Sequence, residues 1–266
     1  MRRAVVAGAF YEGERRSLMN QLQNCFSGIP REKDEGIIGA VVPHAGYMYS
    51  GRVAASVYAK LPRADSFVIL GTNHQGIGSL IAVSKEAWGT PLGEVEVDQA
   101  FVDALPKQLI DVDETAHRYE HSIEVQLPFL QYLFDKNFQF VPIAIALTDE
   151  ETVREIGDDL AHTIAQIDKK VVLIASSDFS HYEPDRIARE KDGYVIEAIK
   201  ELNVAKFYKR VYERNVTACG IAPIAVMLHA AKKLGATEGN VVTYATSGDI
   251  TGDTQAVVGY GGIIIL

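Results

Sequence analysis

Three short apolar runs in this chain each lead into a histidine. Ile37-Ile38-Gly39-Ala40-Val41-Val42 passes through Pro43 to His44. Phe67-Val68-Ile69-Leu70-Gly71 passes through Thr72-Asn73 to His74, and Val171-Val172-Leu173-Ile174-Ala175 passes through Ser176-Ser177-Asp178-Phe179-Ser180 to His181. Continuous apolar runs of this length, bounded by turn residues, read as strands buried on both faces, as parallel sheets require. In an open α/β sheet the residues just beyond the carboxyl ends of neighbouring strands converge on one crevice. Three imidazoles delivered there supply the donors for metal binding or acid–base chemistry. Any one of them alone fits an ordinary turn; the repeated pattern is what points to a shared site.

Between and around these runs the apolar spacing changes from continuous to helical. Glu14 to Phe26 carries Leu18, Leu22 and Phe26 on one face, and Val53, Val57, Tyr58 and Leu61 mark a helix after His44. Ser79–Ser84 and Glu94–Val97 read as short strands, with Asp98 as N-cap of a helix reaching Leu105. Ser122–Phe134 has helical spacing, with Pro128 marking a kink or a helix start. Phe138–Ile145 is a strand, Asp149–Ile167 an amphipathic helix, Arg186–Arg214 helical, Cys219–Leu234 a further helix, and Val241–Thr246 and Ala256–Leu266 are closing strands. Alternation of this kind predicts an α/β fold: a central, mostly buried β-sheet flanked by helices on both faces, a three-layer αβα arrangement. With no linker-like composition break and no internal repeat, residues 1–266 are expected to form a single domain.

Charge narrows the partners. The chain carries a formal net charge of −9, with its Lys and Arg scattered rather than striped. That disfavours nucleic acid and anionic membrane surfaces as partners. No apolar stretch approaches the ~18 residues of a membrane span. The two cysteines, Cys25 and Cys219, are distant and lack a CxxC partner, which fits a reducing cytoplasm. The amino-terminal Ala4–Phe10 run imitates a leader peptide but stops at Tyr11-Glu12, too short for one.

Several residues near the strand ends can carry chemistry. Asp178 lies three positions before His181 and is expected to orient that imidazole and raise its basicity; the alternative is an Asp cap on a simple turn. Thr217 is the expected N-cap of a helix whose first turn holds Cys219, where the helix dipole favours thiolate. Glycines around His44 and His74 allow close backbone approach to a ligand, and Tyr47, Tyr49, Tyr119 and Tyr182 stand near the motif residues. His117-Arg118-Tyr119-Glu120-His121 matches the HxxEH pattern of inverted zinc proteases, and Glu124 follows on the face of His121. No Walker A loop, dinucleotide fingerprint or Gly-x-Ser-x-Gly elbow occurs.

Taken together, Pro43-His44-Ala45-Gly46-Tyr47, Leu70-Gly71-Thr72-Asn73-His74, Glu120-His121-Ser122-Ile123-Glu124, Ser176-Ser177-Asp178-Phe179-Ser180-His181 and Thr217-Ala218-Cys219-Gly220 resemble the Memo family in content and order. The resemblance runs from Ala7-Gly8-Ala9-Phe10-Tyr11 to the final strand. It implies a fold related to class III extradiol dioxygenases and a mononuclear metal site. By position it implies His44, His74 and Cys219 as metal ligands, His181 and Asp178 as the catalytic pair, and His121, Glu124 and Tyr47 as pocket or outer-layer residues. It assigns no role to His117.

Two departures from the dioxygenase pattern matter. A cysteine replaces the carboxylate of the two-histidine triad, which shifts preference toward softer or borderline metals, including copper and zinc; the expected ion is iron or copper, with zinc as a further choice. Gln75 follows His74 where some relatives carry a second histidine. The function implied is a metal-dependent oxidoreductase acting on a small molecule. The alternatives are a non-catalytic pocket for a peptide, as described for signalling relatives in animals, and a zinc hydrolase using His117, Glu120 and His121. Microbial relatives commonly occur beside a radical SAM protein, which suggests a shared pathway.

Overall fold

The computed structural model of the protein describes residues 1–147 and 149–266. In chain order the elements are α1 (Arg15–Phe26), β1 (Gly39–Val42), α2 (Tyr47–Tyr58), β2 (Ser66–Thr72), β3 (Ile81–Val83), β4 (Trp88–Thr90), β5 (Gly93–Val95), α3 (Gln99–Ala104), β6 (Asp111–Val112), α4 (Leu127–Phe134), β7 (Gln139–Ile145) and α5 (Glu150–Gln166). They continue with β8 (Val171–Ser176), β9 (His181–Glu183), α6 (Asp185–Lys200), α7 (Val204–Arg214), α8 (Ile221–Lys233), β10 (Gly239–Thr246), α9 (Gly248–Thr251) and β11 (Val257–Ile265).

One mixed sheet runs in the order β10-β11-β1-β8-β2-β7-β3-β6, with β9 attached to β11. Its four central strands, β1, β8, β2 and β7, are mutually parallel. They are also the most continuously apolar segments, as burial on both faces demands. Helices cover both faces. A side chain at Gly39 of β1 would strike Met227 of α8, whereas one at Gly262 of β11 would strike Val53 and Val57 of α2. Helices α1, α2 and α4 pack together on one side, and α5, α6, α7 and α8 on the other. The expected αβα arrangement is therefore what the chain forms. Among the described residues no helix is long and apolar enough to cross a membrane.

Several boundaries differ from the sequence reading for local reasons. The helix expected over Ser122–Phe134 begins only at Leu127, with a single 3-10 turn at Glu124–Gln126 before it. Pro128 has no amide proton to donate and is tolerated only in a first turn, so it sets the start. The helix expected from Cys219 begins at Ile221, with Gly220 rather than Thr217 at its N-cap. Gly220 is pinned against the loop after β8: its amide donates to Ser177 Oγ at 2.9 Å, and an added Cβ would lie 2.4 Å from Ser177 Cβ. His181 does not sit in an open loop but starts β9, which pairs with β11.

The registers place the candidate residues. Val42 of β1 pairs with Ser176 of β8, and Leu70 of β2 pairs with Ala175. All three strands thus end at one level, with β8 in the middle. His44, His74 and the Ser177–His181 segment emerge side by side at that edge.

Candidate metal centre

Three imidazoles meet above the carboxyl end of β8, and they belong to His44, His74 and His121. One ligating nitrogen from each lies within 4.8 Å of the others. The His44 ring stands edge-on to the other two, with centroids 5.2 Å from His74 and 5.4 Å from His121. His74 and His121 stack at 4.7 Å. Exposure is graded: His44 is buried, His121 half-buried and His74 open to solvent.

Hydrogen bonds behind the rings decide which nitrogen points forward. Ser176 Oγ donates to the Ser122 carbonyl at 2.6 Å, so it accepts the Nδ1 proton of His44 at 2.9 Å. Gln126 Nε2 donates to the same hydroxyl at 2.8 Å and to the Pro43 carbonyl, bracing the β1 exit. His74 Nδ1 donates to Glu120 Oε1 at 2.9 Å while the His74 amide donates to Oε2 at 2.6 Å. The same Oε1 accepts the amides of His121 and Ser122 at 2.8 Å each and lies 3.4 Å from His121 Nδ1. His44 and His74 therefore have Nδ1 hydrogen-bonded to protein and His121 Nδ1 faces Glu120, which turns the Nε2 side of each ring toward a ligand, that of His44 beside Cys219 Sγ.

Charge follows the same plan. Burial, with His121 and His74 nearby, holds His44 well below the usual histidine range, and burial also lowers His121. Both rings are neutral at pH 7, the form that coordinates a metal. Burial acts to raise Glu120, but its bonds to His74 and the Ser122 amide outweigh it and hold the carboxyl at about 2. A fully buried anion thus faces the outer side of two imidazoles. Three imidazole nitrogen donors with fixed orientation and an anionic support suit a divalent transition metal.

Cys219 sits beside this set rather than within it. Its Sγ is 3.1 Å from His44 Nε2 and accepts the Asp178 amide at 3.2 Å, but the thiol is outside the mutual 4.8 Å group of the three imidazoles. The expectation of a dipole-stabilised thiolate is overturned. Cys219 precedes the α8 cap, and burial, with Asp178 close by, pushes the thiol well above its usual range. Thr217 is used elsewhere: its Oγ1 accepts the His181 amide at 2.7 Å.

His181 and Asp178 both line the same cavity, but not as a bonded pair. His181 Nδ1 lies 2.9 Å from the Thr217 carbonyl and donates to it, leaving Nε2 free. Asp178 Oδ1 accepts the amides of His44 at 2.8 Å and Ala45 at 3.3 Å. Asp178 therefore orients the backbone that carries His44, and Thr217, not Asp178, orients His181. Burial pushes the Asp178 carboxyl up to about 6, against the pull of those amides.

Other expected residues fall behind the site. Tyr47 is buried, donates to the Val125 carbonyl at 2.5 Å and packs on Phe129, so it belongs to the core; Tyr49 is the tyrosine of that segment at the cavity. Glu124 is fully buried and faces away from the cavity, toward the amino-terminal segment. It accepts from Arg2 at 2.7 Å, from Tyr11 Oη at 2.7 Å and from the amides of Val5 and Val6. That segment brings Phe10 against His121, with centroids 4.8 Å apart.

The HxxEH reading fails in the structure. His117 lies in a 3-10 turn, is fully buried against Trp88, and directs Nε2 to the Ala82 carbonyl at 3.2 Å. It is not among the clustered imidazoles. Glu120 of the same motif is the residue whose role sequence reasoning missed. Its adjacency to His121 was the available signal, but its main partner His74 is 46 residues away in the chain.

The site opens into a cavity of about 510 Å³, walled by Phe10, Tyr49, Tyr182 and Val258 among others. Comparison with known proteins agrees with this architecture. A family model described as Memo-like protein matches residues 2–264. A MEMO1 family protein of Methanosarcina barkeri is 52% identical over 265 residues, covering 100% of both chains. One from Archaeoglobus fulgidus is 48% identical over 264 residues, covering 99% of each. Among solved structures, an uncharacterised protein of Escherichia coli K12 is similar in fold, with TM-score 0.56 at 15% identity over 86% of this chain and 99% of that one.

Proposed function

The chain belongs to the Memo-like protein family, and on that premise we propose that it is a metal-dependent oxidoreductase acting on a small molecule in the strand-end cavity. The observation that carries this reading is the convergence of His44, His74 and His121 at the floor of a cavity large enough for a small organic ligand. In this reading those three imidazoles hold the ion, and Cys219 stands as a fourth, softer donor next to His44. Iron or copper is the preferred ion, zinc the third choice, because nitrogen and sulfur donors suit all three. Iron or copper held there would supply one-electron chemistry, which zinc would not.

The protein's own groups supply the rest. His181, with Nδ1 tied to the Thr217 carbonyl, presents Nε2 at the cavity as proton acceptor. Asp178 fixes the His44 backbone and offers a second carboxylate oxygen to the ligand. Phe10 and Tyr49 exclude water from the wall. The free thiols Cys25 and Cys219 fit a reducing cytoplasm as the setting.

Metal analysis of the purified protein tests the proposal. Stoichiometric iron or copper is expected in the wild type and in Cys219→Ala, and its loss in His44→Ala and His121→Ala. Zinc alone would keep the metal site but overturn the oxidoreductase reading, because zinc is not redox-active, and no metal at all overturns both. Metal retained by His121→Ala but lost by Cys219→Ala restores the ligand set that the family resemblance implied. A non-catalytic peptide slot is the second reading, favoured by the 81% exposure of Tyr182 at the rim. It requires peptide binding that is indifferent to metal.

A further inference from the structure

Helix α6 buries a carboxylate that the metal centre does not use. Asp192 is fully buried midway along that helix, where charged side chains are seldom found without partners. Its Oδ1 accepts the Ser180 amide at 3.1 Å and the Ser180 hydroxyl at 2.6 Å, and Oδ2 accepts Tyr244 Oη at 2.6 Å. Every one of these contacts comes from a donor. They offset the cost of taking the group out of water. An added Cβ at Gly259 of β11 would strike both Asp192 Oδ2 and Tyr244 Oη, so the sheet makes room for this pair by omitting a side chain.

The partner that matters is Ser180, because the next residue is His181. Ser180 is fully buried and does not line the cavity, whereas His181 does. The Ser180 carbonyl accepts the Gly259 amide at 2.9 Å, and the Phe179 amide donates to the Gly259 carbonyl at 2.8 Å. Beyond Ser180, Thr217 accepts the His181 amide at 2.7 Å and His181 Nδ1 at 2.9 Å. The Thr217 bonds orient the ring. Where the backbone enters them is set by Ser180.

This stretch of backbone needs an outside hold. In the β9–β11 pairing Val258 opposes His181 and Val257 opposes Glu183, which leaves Tyr182 as the extra residue of a β-bulge. Tyr182 has φ +59°, in the left-handed region that bulky residues rarely occupy. Bulges beside functional sites re-aim a side chain, and backbone strain of this kind persists where the surroundings impose it. Helix α6 supplies those surroundings from consecutive residues. Asp192 holds Ser180 before the bulge, and Lys191 pairs with Glu183 after it. One helix thus grips both ends of the segment that presents His181.

Resting on the reading of His181 as the proton acceptor, we infer that Asp192 is a positioning residue for that histidine. It does not line the cavity; through Ser180 it sets the depth and direction at which His181 Nε2 meets the cavity. The acceptor oxygens carry this role rather than the charge. A carboxamide at the same place keeps an oxygen for the Ser180 donors and offers its NH2 to the lone pairs of Tyr244 Oη.

Labelling with diethyl pyrocarbonate tests this on the full-length protein, as purified and again after metal removal. Mass spectrometry reads the rate at each histidine, and NMR follows the His181 ring resonances. The reagent attacks an unprotonated imidazole nitrogen, so it reports how His181 Nε2 is held. Asp192→Ala is expected to speed modification of His181 by about threefold or more and to shift its ring resonances, while exposed His162 keeps its wild-type rate. Asp192→Asn should stay within about twofold of wild type, because it retains the acceptor. Ser180→Ala, which removes the hydroxyl bond alone, should move His181 in the same direction, and it decides the matter if Asp192→Ala does not fold. A His181 unchanged in the folded alanine variants overturns the inference. So does an equal rise at His44 and His121, which would mean general loosening, or an Asp192→Asn variant that behaves like Asp192→Ala. The metal-free arm separates these outcomes from the metal analysis: a protein that carries no metal but still holds His181 through Asp192 sinks the oxidoreductase reading alone.

Discussion

Glu120 Oε1 accepts the Nδ1 proton of His74 at 2.9 Å, and the carboxylate that makes this bond is fully buried. The other oxygen takes the His74 amide, and Oε1 also takes the amides of His121 and Ser122. Every contact to this side chain comes from a donor, so no position suits the NH2 of a glutamine. Glu120→Gln should therefore turn or disorder the His74 ring and lower metal affinity by about 10- to 100-fold, the usual cost of losing an outer hydrogen-bond partner. A chelator competition titration measures it. Unchanged affinity with intact folding would remove Glu120 from the support of the site.

How far the chain discloses this site depends on how local each determinant is. The strands and the positions of His44 and His74 were legible because a doubly buried parallel strand must be apolar without interruption, so its end is marked in the sequence. Which tyrosine reaches the cavity is not legible locally, because side chains two apart on a helix face nearly opposite ways: Tyr47 packs behind the site on Phe129 and Tyr49 lines the cavity. Asp178 and His181 are close in the chain, yet the bonds go to His44 and Thr217, which arrive from other elements. The helix after Cys219 starts late because Gly220 packs on Ser177, a contact that exists only in the folded chain. Where neighbours in space are distant in sequence, local pattern did not reveal the partner.

Gly71 offers a test of that packing. It ends the β2 core, and an added Cβ would lie 2.4 Å from Ser122 Oγ and 2.6 Å from Ile123 Cγ1. Ser122 Oγ donates to the Thr72 carbonyl at 3.0 Å, so the His121–Ile123 segment is seated directly on the strand end. Gly71→Ala should push that segment outward, destabilise by about 1–3 kcal/mol as overpacking does, and weaken metal binding through His121. Urea denaturation and metal titration of the same variant read the two effects together. Full stability and full metal affinity would mean that the segment shifts freely.

His117 makes stability depend on pH outside the metal centre. Burial, with Arg2 close by, lowers its pKa from 6.5 to about 4, and its Nδ1 has no hydrogen-bond partner among the described residues. The folded chain thus refuses a proton that the unfolded chain accepts below pH 6.5. Above that pH the group contributes nothing to the pH dependence; as pH falls from about 6.5 toward 4, stability is lost. The loss is on the order of 2–3 kcal/mol by pH 4.5. In metal-free protein, His117→Gln should flatten the decline between pH 7 and 4.5 relative to wild type, whatever its stability at pH 7. Parallel slopes in denaturant titrations at the two pH values would place the acid sensitivity elsewhere.

Arg2 ties the first residues of the chain to the back of the site. Its guanidinium bonds Glu124 at 2.7 Å and the carbonyls of His117 and Glu120, and lies 4.0 Å above the Trp88 ring. Both charged groups of the pair are almost wholly buried, with side-chain exposures of 5% and 0%. Removing one partner of such a pair strands the other, at a typical cost of 3–5 kcal/mol. Glu124 keeps its bonds to Tyr11 and to the Val5 and Val6 amides, which places Arg2→Ala near the lower end, about 3 kcal/mol. The same change should loosen the segment that holds Phe10 against His121, so ligand binding in the cavity should weaken more than metal binding. Hydrogen exchange of residues 4–11, measured beside both titrations, separates the outcomes: faster exchange with retained metal supports the strap, and unchanged exchange refutes it.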